Sequence, residues 1–105
     1  MHTAPTTARL VTIICEALAR EPISQLLRSL GVSGFTWFEV QGEGHQGVRY
    51  GEMEEFANIQ MEVILSPARA QRLLEILERD YFPQYAMIAY ESEVRILRAK
   101  KFLGE

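Results

Sequence analysis

At 105 residues, 48% of them hydrophobic and 24% charged, the chain has the size of one domain and enough apolar side chains to bury a core, which excludes disorder and leaves no room for a second domain. A formal net charge of -3 gives no general attraction to nucleic acid or acidic membranes, so an anion must be met by a local basic patch, and one stands near the C-terminus. The single cysteine, Cys15, excludes an intrachain disulfide, and no apolar run approaches the roughly 20 residues that span a bilayer. The N-terminus carries no leader pattern, so a cytoplasmic protein without membrane insertion is expected.

Residues 10–15 (LVTIIC) are apolar and β-branched on both alternating faces, the pattern of a central strand covered on both sides. Pro22 then suits a first helical turn, Ile23, Leu26, Leu27 and Leu30 recur at helical spacing, and Gly31 is a natural stop. Residues 35–41 (FTWFEVQ) predict a second strand, and Ile59, Met61, Val63 and Leu65 alternate with polar residues in a third. Ser66 and Pro67 signal the start of a second helix along which Ala70, Leu73, Leu74, Leu77 and Tyr81 form one stripe until Pro83. Residues 85–90 (YAMIAY) predict the fourth strand, and residues 94–102 form a basic segment of unassigned conformation. The order is that of a ferredoxin-like βαββαβ α+β domain: a four-stranded antiparallel sheet with two helices on one face.

Two features of this plan bear on function. Helices on one face should leave the other polar, yet Leu10 and Ile14, Phe38 and Val40, and Ala86 and Ile88 keep both faces apolar in places. Association of copies through the open face follows, against the alternative of a monomer with a half-wet sheet. The connection over residues 42–57 (GEGHQGVRYGEMEEFA) far exceeds the roughly two to five residues of a hairpin turn. Its Gly42, Gly44 and Gly47 would let backbone N–H groups approach an anion, and Glu52, Glu54 and Glu55 make its second half acidic. A ligand-gated loop and a solvated excursion are both compatible with that composition.

Within residues 32–46, Gly34, Thr36, Glu39, Val40, Gly42, Gly44 and Gln46 stand in a G-x-T-x-x-E-V-x-G-x-G-x-Q pattern. This resembles the segment of PII signal-transduction proteins that runs from the second strand into their T-loop. Residues 81–102, with Tyr85, Ile88, Tyr90, Val94, Leu97-Arg98-Ala99 and Lys101-Phe102, resemble the PII-like subgroup that includes SbtB and the carboxysome-associated PII proteins. The resemblance covers residues 9–102 and implies a single domain over 1–105, with its core at 8–102, a T-loop at 42–57 and a basic segment at 95–105.

It further implies a homotrimer with a nucleotide site in each cleft between subunits. By similarity, Gly42, Gly44, His45 and Gln46 would face the phosphates from the loop side with Arg49 as a cation, and Arg98 with Lys100 or Lys101 would approach from the neighbouring subunit. Arginine suits this task because its planar fork holds phosphate oxygens bidentately. Ser33, Ile64 and Ala89 would be left for the adenine, and Tyr50 invites comparison with the modified tyrosine of classical loops. AMP, ADP, ATP or cyclic AMP would be the effector, bicarbonate a second ligand, and a transporter or carboxysome-linked protein the target controlling inorganic-carbon uptake. The chain departs from classical members in having no lysine over residues 42–65, which removes the loop lysine that helps hold 2-oxoglutarate, and in lacking a glycine- and lysine-rich phosphate loop after the second helix.

Other classes fit less well. No enzyme is expected, although Gln46 and Arg49 could be pressed into an acylphosphatase-like hydrolase of the same fold. An RNA-binding sheet needs aromatics in its third strand, which carries Glu62 instead. His45 with Glu43 falls short of a metal site.

Overall fold

A computed structural model describes residues 4–44, 47–48 and 58–103. Strand β1 (Thr6–Glu16) leads through a single 3₁₀ turn (Ala17–Ala19) into helix α1 (Arg20–Ser29). Strand β2 (Thr36–Val40) follows, then two short strands, β3 (Glu43–Gly44) and β4 (Gly47–Val48), which pair with each other. Strand β5 (Asn58–Leu65), helix α2 (Pro67–Ile76), strand β6 (Met87–Ile96) and a short helix α3 (Ala99–Leu103) complete the chain. The main sheet has the order β2-β5-β1-β6, every pair antiparallel. This is the ferredoxin-like arrangement.

The strongest local signals are realised as the physics requires. Gly31 adopts φ +84°, and the Val32 N–H donates to the Leu27 carbonyl and the Gly31 N–H to the Arg28 carbonyl, closing α1 in a Schellman motif. Ser66 Oγ accepts from the Arg69 N–H at 3.3 Å, with Pro67 at the first helical position. Beyond Ile76 the helical path widens to one π turn over Leu77–Tyr81, where the Phe82 N–H reaches back to the Leu77 carbonyl at 2.8 Å. Pro83 has no N–H to continue it.

The core lies between the helices and one sheet face. Val11, Ile13 and Cys15 of β1 and Ile59, Met61, Val63 and Leu65 of β5 pack with Ile23 and Leu27 of α1 and Ala70, Leu73 and Leu77 of that second helical segment. Burial there pushes the Cys15 thiol up to about 12, the neighbouring Glu16 charge adding to the effect. Thr12, in the row that lies on the opposite face, is also buried. The cross-strand rows that the register sets on that face include Phe38, Gln60, Ile14 and Ile88; Thr36, Glu62, Thr12 and Tyr90; and Ile64, Leu10 and Ser92. Phe38 is 41% exposed, Ile88 56% and Tyr90 49%. No described helix is long and apolar enough to cross a membrane.

Several expected boundaries move. The fourth strand runs to Ile96 rather than ending at residue 90, because Ala8↔Val94 and Thr6↔Ile96 continue the ladder with a first strand that itself begins at Thr6. The basic segment at 95–105, of unassigned conformation in the sequence, begins within the sheet: Arg95 and Ile96 close β6, the chain turns at Leu97 and Arg98, and α3 follows. Alternation alone could not show this, since the β6 stretch Glu91-Ser92-Glu93 reads as polar and owes its strand form to pairing.

Candidate functional site

The sheet sorts the expected site residues to its two ends. At one end, β2 finishes at Val40, and Gly42 and the backbone of Glu43 and Gly44 lead off it, opposite the start of β5 at Asn58. Here Gly42 is exposed, and a Cβ built on it would meet nothing within 4 Å, so its backbone is open to approach from outside. The same end is closed by Glu16, whose N–H donates to the Ala86 carbonyl and whose Oε2 accepts from the Ala86 N–H at 2.8 Å. His45, Gln46, Arg49 and Tyr50 lie outside the described residues.

At the other end, β5 finishes at Leu65, β1 begins and β6 finishes. Exposed Ser33 stands in the connection between Gly31 and β2 at this end, whose first pair is Thr36↔Glu62. The turn after Ile96 brings Arg98, Lys100 and Lys101 here as well. Arg98 takes φ +62°, a left-handed conformation that reverses the chain, and the Lys101 N–H donates to the Arg98 carbonyl at 3.0 Å. All three side chains are exposed. Between Val94 and Leu103 the sequence has four cations, Arg95, Arg98, Lys100 and Lys101, and no carboxylate, so the segment carries a local positive field despite the acidic whole.

The eight residues of β5, at about 3.3 Å each, separate these ends by about 25 Å. A single chain cannot close Gly42 and Arg98 over one phosphate. The pair Ile64 and Ala89 is likewise not brought together: Ile64 lies on the open face beside Leu10, whereas Ala89 pairs with Ile13 and packs against the helix-side core. Within one chain the two therefore stand on opposite sheet faces. The reason is parity, since strand residues an odd number of register steps apart point to opposite faces.

One residue that sequence reasoning passed over stands in the cationic end. Arg69, in the first turn of α2, lays its guanidinium beside Gly31, where an added Cβ would sit 3.5 Å from Nη2, and its Nη1 donates to the Leu103 carbonyl at 3.4 Å. The available signal was its position: a cation in a helix's first turn opposes the macrodipole and calls for a partner. At the opposite edge, the Arg20 guanidinium lies 4.7 Å above the Trp37 ring. Among the described residues no group of side chains could hold a metal ion.

An antiparallel βαββαβ sheet with one apolar face uncovered, a glycine-bearing connection at one end and a cationic segment at the other defines a ferredoxin-like domain organised around its sheet ends. Within that class, the chain belongs to the nitrogen regulatory protein P-II family, whose profile matches residues 8–101, and it is a PII-like regulatory protein. It is similar to a PII-like signaling protein from Thermus thermophilus, at 36% identity and TM-score 0.83 over 95% of this chain and 99% of that one. CPII from Thiomonas intermedia, a nitrogen regulatory PII-like protein bound to ADP, AMP and bicarbonate, shares the fold at TM-score 0.88 and 23% identity, over 97% of this chain and 99% of that one. The apo form of CPII superposes with TM-score 0.75 at 20% identity, over 92% and 99% of the two chains. A comparison with curated proteins returns no match.

Proposed function

We propose that this chain is an adenylate sensor of the SbtB and carboxysome-associated PII subgroup. It assembles as a homotrimer, binds AMP, ADP, ATP or cyclic AMP in the clefts between subunits with bicarbonate as a second ligand, and signals through the 42–57 T-loop. Its target is a transporter or carboxysome-linked protein of inorganic-carbon metabolism, in the cytoplasm, and it performs no catalysis.

The observation that carries this reading is the separation of Gly42 from Arg98 by the length of β5. Phosphate contacts from both become available to one ligand only when a second copy supplies the other end. The uncovered apolar face gives copies a reason to associate, because burying it removes Phe38, Ile88 and Tyr90 from water. A ligand that touches a loop of one subunit and a cationic segment of the next would couple occupancy to loop conformation. The CPII structures, which hold ADP, AMP and bicarbonate, lend the ligand class.

Calorimetric titration with AMP, ADP, ATP and cyclic AMP, with and without bicarbonate, tests the reading together with the mass in solution. The expected result is a trimer binding three adenylates. Arg98→Ala should weaken binding by about 1.5–3 kcal/mol, the value of a hydrogen bond to a charged group. A monomer giving no heat with any nucleotide would end the proposal.

A further inference from the structure

The cationic segment is held on both sides. Behind it, Ile96 pairs with Thr6 and ends β6. Ahead of it, α3 is held at Leu103, which is 6% exposed and whose carbonyl accepts from Arg69 Nη1. Arg98, Lys100 and Lys101 lie between these points. A helix of five residues is too short to be stable by its own hydrogen bonds, so its place depends on what docks it.

Arg69 is built for that docking. Its backbone N–H is fixed by Ser66 Oγ, which sets where the side chain leaves α2. The guanidinium then lies beside Gly31, two residues before Ser33. Its charge is unfavourable at the start of α2 and favourable at the last carbonyls of α3, where orphan acceptors gather. One planar cation thus links the start of α2 to the end of α3 and lies beside the end of α1.

We propose that Arg69 is a positioning residue for the anion site: by holding the Leu103 carbonyl it docks α3 and presents Arg98, Lys100 and Lys101 in register with Ser33. It touches no ligand itself. The inference rests on the adenylate reading for its functional consequence, while the docking it describes stands apart from any ligand.

The test uses the full chain as wild type, Arg69→Met, Arg69→Lys and Ile23→Val, the last lowering stability from a core site in α1 remote from α3. Amide hydrogen exchange of residues 100–103 reads docking without ligand, and calorimetry with ADP reads the consequence. Arg69→Met should speed exchange at these amides at least tenfold and weaken ADP about three- to tenfold, the cost of ordering one or two side chains on binding. Arg69→Lys, which keeps the charge but not the planar fork, should recover part of both losses. Ile23→Val should change neither. Unchanged exchange in Arg69→Met, or ADP binding equal to wild type, overturns the proposal, as does an equal loss in Ile23→Val. If wild type binds no ADP the adenylate reading falls instead, and exchange at residues 100–103 still decides whether Arg69 docks α3; should Arg69→Met fail to fold, Arg69→Lys carries both readouts.

Discussion

Gly31 and Cys15 show how single residues are fixed by their surroundings. At Gly31 the cost of any side chain is conformational: φ +84° is open to glycine and strained for L-residues, whereas the Arg69 guanidinium 3.5 Å from an added Cβ is at ordinary contact distance. Gly31→Ala should therefore lower stability by about 1–2 kcal/mol through backbone strain, read from the urea midpoint with an unchanged denaturant slope. At Cys15 the cost is electrostatic. A free thiol ionises at 9.0 and burial pushes this one up to about 12, desolvation being the larger cause. More than about one pH unit below 9 both folded and unfolded chains hold the proton and stability is unaffected. Above it the unfolded chain ionises first, so stability should fall by up to about 1.4 kcal/mol per pH unit until the folded thiol also titrates. Urea denaturation of wild type and Cys15→Ala between pH 8 and 10.5 isolates this contribution, and parallel pH slopes in the two proteins would refute it.

Elements differ in how much of their form is local. Helix α2 announces itself because Ser66 and Pro67 act on adjacent backbone groups, and Ser66→Ala should cost about 0.5–2 kcal/mol by removing the bond to the Arg69 N–H, measurable as a lowered thermal midpoint. The βαββαβ order, the Gly31 stop and the apolar open face were legible for the same reason: each rests on periodicity or on one residue's backbone preference. The second half of β6 was not. Glu91, Ser92 and Glu93 extend because β1 begins early enough to pair with them, and Arg9, whose Nε donates to Glu91 Oε2 at 2.9 Å with Glu93 3.8 Å from Nη1, offsets their charge. The partner is about eighty residues away, beyond the reach of any pattern in a short window. Helix α3 escaped notice likewise, Leu103 and Arg69 being among its anchors. Among the candidate site residues, Gly42 and Arg98 were found by type, but the sheet parity that divides Ile64 from Ala89 becomes visible only once the register is known.

Across the whole molecule, the question is what the open face is for. Its rows are not uniformly apolar: Glu62 stands in the row of Thr36, Thr12 and Tyr90, and Gln60 Nε2 donates to its Oε2 at 3.0 Å. The strip of Phe38, Ile14 and Ile88, with Gln60 between the first two, is the greasy part, and Ile88 is 56% exposed in the isolated chain. A substitution at so exposed a position ordinarily changes a monomer's stability by no more than about 0.5 kcal/mol. In the trimer we propose the same position is covered, and a charge introduced there loses its water without gaining a partner. Ile88→Glu should therefore leave the far-ultraviolet spectrum intact, reduce the mass in sedimentation to that of one chain, and abolish ADP binding, because Gly42 and Arg98 then no longer meet across a seam. The coupling matters more than either result alone: dispersal with undiminished ADP affinity would mean that one chain holds the nucleotide by itself, against the distance between its two ends.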